Sequence, residues 1–224
     1  MAYDFSTLSK YDLNLEELRN YILQNRFDFE YFDEWLDGWM NVFKNAKMDT
    51  LTQIQNLEKE GIPSFEVFVK GINLGQIAFK FNFIIEGAKN HVKNSNLSVK
   101  KIQANHFVNT VTWTKEDAKS SHKINDPVYL TTLPLADKTH LLIDGNKRVS
   151  QLLKGGADEI NYYDISPMNI INAQILLFTI EKVMYVFLIE TYSFKKHLNK
   201  RKYTHKHIFS SSHILHDFKG LNVK

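Results

Sequence analysis

The residues most able to do chemistry lie in one run, Leu141-Leu142-Ile143-Asp144-Gly145-Asn146-Lys147-Arg148-Val149. The apolar stretch breaks at Asp144-Gly145 and resumes as Val149, Leu152 and Leu153 in helical spacing, which predicts a strand, a tight turn and a helix start in quick succession. Such a junction suits a phosphate. The first amides of a helix have no intrahelical partner, the helix dipole favours an anion there, and Lys147 and Arg148 add positive charge. Arg148 could grip two phosphate oxygens, with Lys147 a mobile point charge. Asp144 could hold Mg²⁺ through water, bond a ribose hydroxyl, or only close the turn. The same letters also fit a hairpin turn beside a solvated basic face.

The flanks narrow the choice. Pro127-Val128-Tyr129-Leu130 precedes the run as an apolar strand, and Gly155-Gly156-Ala157-Asp158-Glu159-Ile160-Asn161-Tyr162-Tyr163 follows it as a return strand. With the Asp-Gly-x-x-Arg loop between them, residues 127–165 resemble the ParB/sulfiredoxin-like superfamily. The resemblance implies a small α/β core that binds the phosphates of a nucleoside triphosphate, CTP or ATP, with Mg²⁺ as an optional companion. It assigns phosphate or nucleotide contact to Asp144, Gly145, Asn146, Lys147 and Arg148. Lys147 stands where many relatives carry His, and Gln151 replaces the small residue usual three positions after the Arg. Sulfiredoxin chemistry needs a catalytic cysteine and the chain has none, which also removes disulfides and thiolate metal sites.

Carboxylates for acid–base work are few near the loop. Asp144 is one catalytic candidate and Glu116 the other. Glu116 and Asp117 follow Thr114-Lys115 in a capping pattern that accounts for them without catalysis. If the protein turns over a substrate, phosphoryl transfer or phosphodiester hydrolysis is the class this constellation serves.

Charge is divided along the chain. Residues 1–60 carry 12 acidic against 6 basic side chains, whereas 61–224 carry 13 against 22. From Lys195 onward there are eight Lys or Arg, five His and the single acid Asp217. Lys200, Arg201, Lys202 and Tyr203 could neutralise phosphates and stack on unpaired bases, which makes DNA a candidate partner of this tail. His205-x-His207 and His213-x-x-His216 have metal-compatible spacing, but without cysteines no metal site is assigned.

The elements that position these groups read as mixed α+β. Residues 1–61 form an acidic helical region, with Leu15, Leu18, Ile22 and Leu23 on one face. Phe32, Trp35, Leu36, Trp39, Met40 and Phe43 follow as an aromatic stripe. Asp33, Glu34 and Asp37 fall opposite, as a solvated face, a cation site or an acid–base pair. A third helix is predicted from Asp49 to Gly61. Residues 62–97 connect ambiguously, as alternating strands or as a helix from Leu74 to Val92. Residues 98–165 form the α/β core. Residues 166–224 begin at Ser166-Pro167, continue through Ile180, Val183, Met184, Phe187 and Leu188 as helix, and end in the basic, His-rich tail. Those helices serve as core or as a homodimer contact, with a hairpin at Glu181-Lys182 the alternative. Asn172, Gln174, Glu181 and Lys182 interrupt 168–191, so no membrane partner is expected. Met1-Ala2-Tyr3-Asp4 lacks a signal-peptide pattern, which places the expectation in the cytoplasm.

Together these features predict a ParB-like nucleotide-binding protein acting on or along DNA. The alternative is a non-catalytic DNA-binding or protein-interaction module of a plasmid, phage or defence system. No helix–turn–helix is evident in the tail, so site-specific reading of DNA is not predicted.

Overall fold

A computed structural model describes residues 13–60, 66–107, 124–135 and 138–219. Helices and two small sheets give a mixed α+β fold. The chain divides into two compact units, one of residues 1–82 and 176–224, the other of 83–175.

In the first unit, α1 (Leu15–Gln24) is capped by Asn14, whose side chain accepts from the amides of Glu16 and Glu17. Helix α2 runs unbroken over Phe32–Glu60, so the separate helix predicted from Asp49 does not exist. No Gly or Pro lies between Gly38 and that point, and Ala46, Thr50 and Ile54 extend the buried stripe. A hairpin follows, β1 (Val67–Leu74) and β2 (Ile77–Ile84), turning at Gly75 with φ 63°. This settles the ambiguous segment as strands first, then α3 (Ile85–Asn94) in the second unit.

The second unit builds a four-stranded sheet in the order β3-β6-β4-β5. Its strands are β3 (Lys100–Gln103), β4 (Val128–Leu135), β5 (Lys138–Asp144) and β6 (Glu159–Ile165). Strand β5 pairs antiparallel with β4, while β6 returns parallel to it through α4 (Asn146–Lys154). Val149 of α4 is buried with Val128, Leu130, Leu142 and Ile160, and Leu152 and Leu153 pack against that cluster. Helix α5 (Pro167–Asn172) starts at Ser166, whose hydroxyl accepts from the Asn169 amide. Because α3 contacts β6 and α5 contacts β4, this unit is wider than the 98–165 core of the sequence reading.

Helix α6 (Thr179–Lys200) is the axis of the first unit, and its continuity excludes a hairpin at Glu181-Lys182. Phe187 sits among Trp35, Trp39 and Phe43, with ring centroids 5.4 to 5.5 Å away. Two acids on this helix are buried. Glu190 accepts from both indoles, Trp35 Nε1 at 2.6 Å and Trp39 Nε1 at 2.9 Å, and from Ser212 Oγ and the His213 amide, each at 2.6 Å. Glu181 accepts from the amides of Leu177 and Phe178 and from Asn82 Nδ2. Thr50 and Gln53 of α2 accept the next amides, Ile180 and Thr179. The tail is therefore folded. Helix α7 (His205–Ser210) and the turn beyond it return Ile214 and Phe218 to the core. No helix among the described residues is long and apolar enough to cross a membrane.

Glu190→Ala strands two indole N–H groups, a hydroxyl and an amide, and should cost on the order of 3 kcal/mol in urea unfolding. Burial pushes the Glu181 carboxyl up to about 8 from 4.5. Between those values the folded chain holds a proton that the unfolded chain has lost, so stability falls as pH rises through that window. A pH series of unfolding curves should show this slope. Glu181→Gln, which keeps an acceptor for the two backbone amides, should flatten it.

Candidate functional site

The loop forms where β5 stops. Asp144 is its last residue, Gly145 follows with φ 107°, and Asn146 opens α4. Asp-Gly therefore joins strand to helix, not strand to strand. Only glycine fits at 145. An added Cβ would lie 2.5 Å from Val128 Cγ1, and the backbone is in the left-handed region. Gly145, the N-cap of α4, offers no side-chain cap, and the first turn holds no acidic residue to oppose an anion at the positive end of the helix dipole. Asn146 and Lys147 are exposed there.

Arg148 points back from the helix. Its Nη2 donates to Asp144 Oδ2 at 2.9 Å, and its Nη1 donates to the carbonyls of Pro127 at 2.6 Å and Asp126 at 3.3 Å. Three of its five N–H donors thus clamp the end of β5 to the entry of β4. The pair is about one-fifth exposed on each side, so its Coulomb contribution is screened. The carbonyl bonds are directional and fix the helix start. Of the five residues assigned to phosphate contact, Gly145 shapes the loop, Asp144 and Arg148 brace it, and Asn146 and Lys147 present it.

Sequence reasoning missed the second half of the clamp, since carbonyls carry no letter of their own. It also assigned no role at the site to Tyr129. That residue pairs with Asp144 across the β4–β5 ladder, and its hydroxyl is pushed above the usual value, chiefly by burial. Ser150 follows on α4, nearly fully buried, with no partner for its hydroxyl.

Other candidates are accounted for differently. Glu116 and Asp117 lie outside the described residues. Asp33 takes a two-pronged bond from Arg26 at 2.7 and 3.0 Å, which holds its carboxyl below the usual range, and Asp37 pairs with Arg19. These acids form a salt-bridged face, not an acid–base pair. His205 Nδ1 accepts from the Glu30 amide, His213 pairs with Asp217, and His216 Nε2 bonds the Ser210 carbonyl. Among the described residues no three His, Asp or Glu converge as metal ligands. Lys200, Arg201, Lys202 and Tyr203 come together at the end of α6, but the Tyr203 ring already stacks on His207 at 5.0 Å. The residue is nonetheless 37% exposed.

Two substitutions separate bracing from presentation. Gly145→Ala should cost on the order of 3 kcal/mol through strain and overpacking. Arg148→Ala should also lower the melting temperature, whereas Lys147→Ala should stay within about 0.5 kcal/mol of the parent. Thermal and urea unfolding of the three variants checks this ordering. No protein-family model, curated protein or solved structure matches the chain.

Proposed function

We propose that the protein binds a nucleoside triphosphate, CTP or ATP, at the Asp144–Arg148 junction and acts on or along DNA. One observation carries the reading. An uncapped helix start, fixed by a clamped arginine and a glycine that admits no side chain, presents exposed Asn146 and Lys147 beside its leading amides. The resemblance of residues 127–165 to ParB/sulfiredoxin-like proteins supports the same ligand. In this reading the backbone amides take phosphate oxygens, Lys147 neutralises them, and Arg148 holds the geometry. DNA is met by the basic surface at the end of α6.

A binding-only form of this reading is favoured by Asp144. Its Oδ2 is engaged by Arg148 at 2.9 Å, so taking up a proton as a general base would weaken the ion pair that braces the loop. Nucleotide occupancy, rather than turnover, is then the functional event.

A thermal-shift panel of CTP, ATP, ADP and GTP, with and without Mg²⁺, tests the proposal. At a hundredfold excess over its dissociation constant the true ligand should add about 2.7 kcal/mol of stability. Lys147→Ala, which leaves the clamp intact, should weaken that ligand roughly tenfold, about 1.4 kcal/mol. No shift with any nucleotide would contradict the reading.

A further inference from the structure

A cleft of about 630 Å³ opens in the first unit, where α6 ends. Its walls come from three short pieces of chain: Phe27 and Asp28 before α2, Lys195 and Leu198 on α6, and the stretch from Arg201 through Tyr203 to His205 at the start of α7. Arg201 makes the turn. It caps α6 with φ 49°, a left-handed conformation unfavourable for a side chain of this size, and so brings its guanidinium to the cleft.

The lining has a defined chemistry. Lys195 Nζ lies 5.4 Å over the Phe27 ring, which seats an ammonium at the apolar wall. His205 spends Nδ1 on the Glu30 amide at 2.9 Å, so its ring proton sits on Nε2 and is a donor for a bound group. Tyr203 is fixed between His207 and His197, at 5.0 and 5.1 Å. Around the cleft, six Lys or Arg lie between 195 and 206, with no acid between Glu190 and Asp217 in sequence. Asp28 is the one carboxylate in the lining.

We propose that this cleft takes one unpaired nucleotide of a single-stranded nucleic acid. Arg201 and Lys195 hold its phosphate, Phe27 and Leu198 give the base or sugar an apolar wall, and His205 Nε2–H and the Asp28 carboxylate supply a donor and an acceptor. Lys200, Lys202 and Lys206, all exposed, follow the phosphates on either side. The volume is that of a small-molecule pocket, which a flexible strand can enter with one splayed nucleotide and a paired duplex cannot. The inference rests on the nucleic-acid half of the proposed function and is independent of the 144–148 loop.

Fluorescence anisotropy with a labelled oligo-dT strand and a duplex of equal length tests it. The proteins are the parent, the double variant Lys195→Gln/Arg201→Gln and Lys206→Gln outside the cleft, each shown folded by its melting curve. The parent should bind the strand more tightly than the duplex. The double variant should lose at least about tenfold and show a log K against log salt slope shallower by about 0.7, the loss of one neutralised phosphate. Lys206→Gln should lose less. Equal binding of strand and duplex, or a double variant no weaker than Lys206→Gln, overturns the cleft while leaving DNA binding in place. Failure of the parent to bind either nucleic acid overturns both the cleft and the DNA half of the function.

Discussion

The guanidinium of Arg148 is the point on which the second unit turns. It joins a strand end, a helix start and the approach to another strand through Asp144 and the carbonyls of Asp126 and Pro127. Without it, the entry to β4 would leave two acceptors to water and α4 would be free to start elsewhere. With it, and with Gly145 pressed against Val128, the turn has one geometry. Val149, Leu152 and Leu153 then fall on the sheet, and β6 follows in register beside β4. The cost of holding an arginine this way is that it is not a free phosphate ligand. The gain is preorganisation, since amides that do not reorganise on binding lose little entropy there.

The first unit solves a similar problem with buried carboxylates. An aromatic interior built from Trp35, Trp39, Phe43 and Phe187 has indole N–H groups to satisfy, and Glu190 satisfies two of them at once. Its other bonds reach Ser212 and His213, so the acid that completes the core also fastens the C-terminal segment. Glu181 does the corresponding work at the start of α6, with Thr50 and Gln53 of α2 supplying the neighbouring acceptors. The basic residues from Lys196 to Lys206 are consequently displayed from a fixed surface. A site with a fixed shape becomes available where the sequence offered only a charged run.

Local periodicity explains which parts were legible. The stripe from Phe32 to Phe43 and the strand–glycine–helix junction at 144–146 are short-range patterns, and both stand in the structure, except that Val42 is buried where Met40 was expected and Met40 is only half-buried. The ends of α2 were not readable in the same way. Asp49 resembles a cap, but an exposed Asp inside a helix is tolerated when Ala46, Thr50 and Ile54 keep the buried face going. Glu181 entered the reading only as a residue that breaks an apolar run. Its partners Asn82, Leu177 and Phe178 include one a hundred positions away, and no spacing rule reports such a bond. Arg148 is the clearest case at the site. Its type and place pointed to phosphate, while its actual partners are two backbone carbonyls and the adjacent aspartate.

The central claim is that the leading amides of α4 form a phosphate seat held rigid by the Arg148 clamp. Backbone amide NMR during titration with CTP, and separately with ATP, tests it most directly. The account predicts that one of the two moves the amides of Asn146, Lys147 and Arg148 saturably and by more than any other assigned amide. Saturation of the protein by either nucleotide with those three resonances unmoved would contradict it.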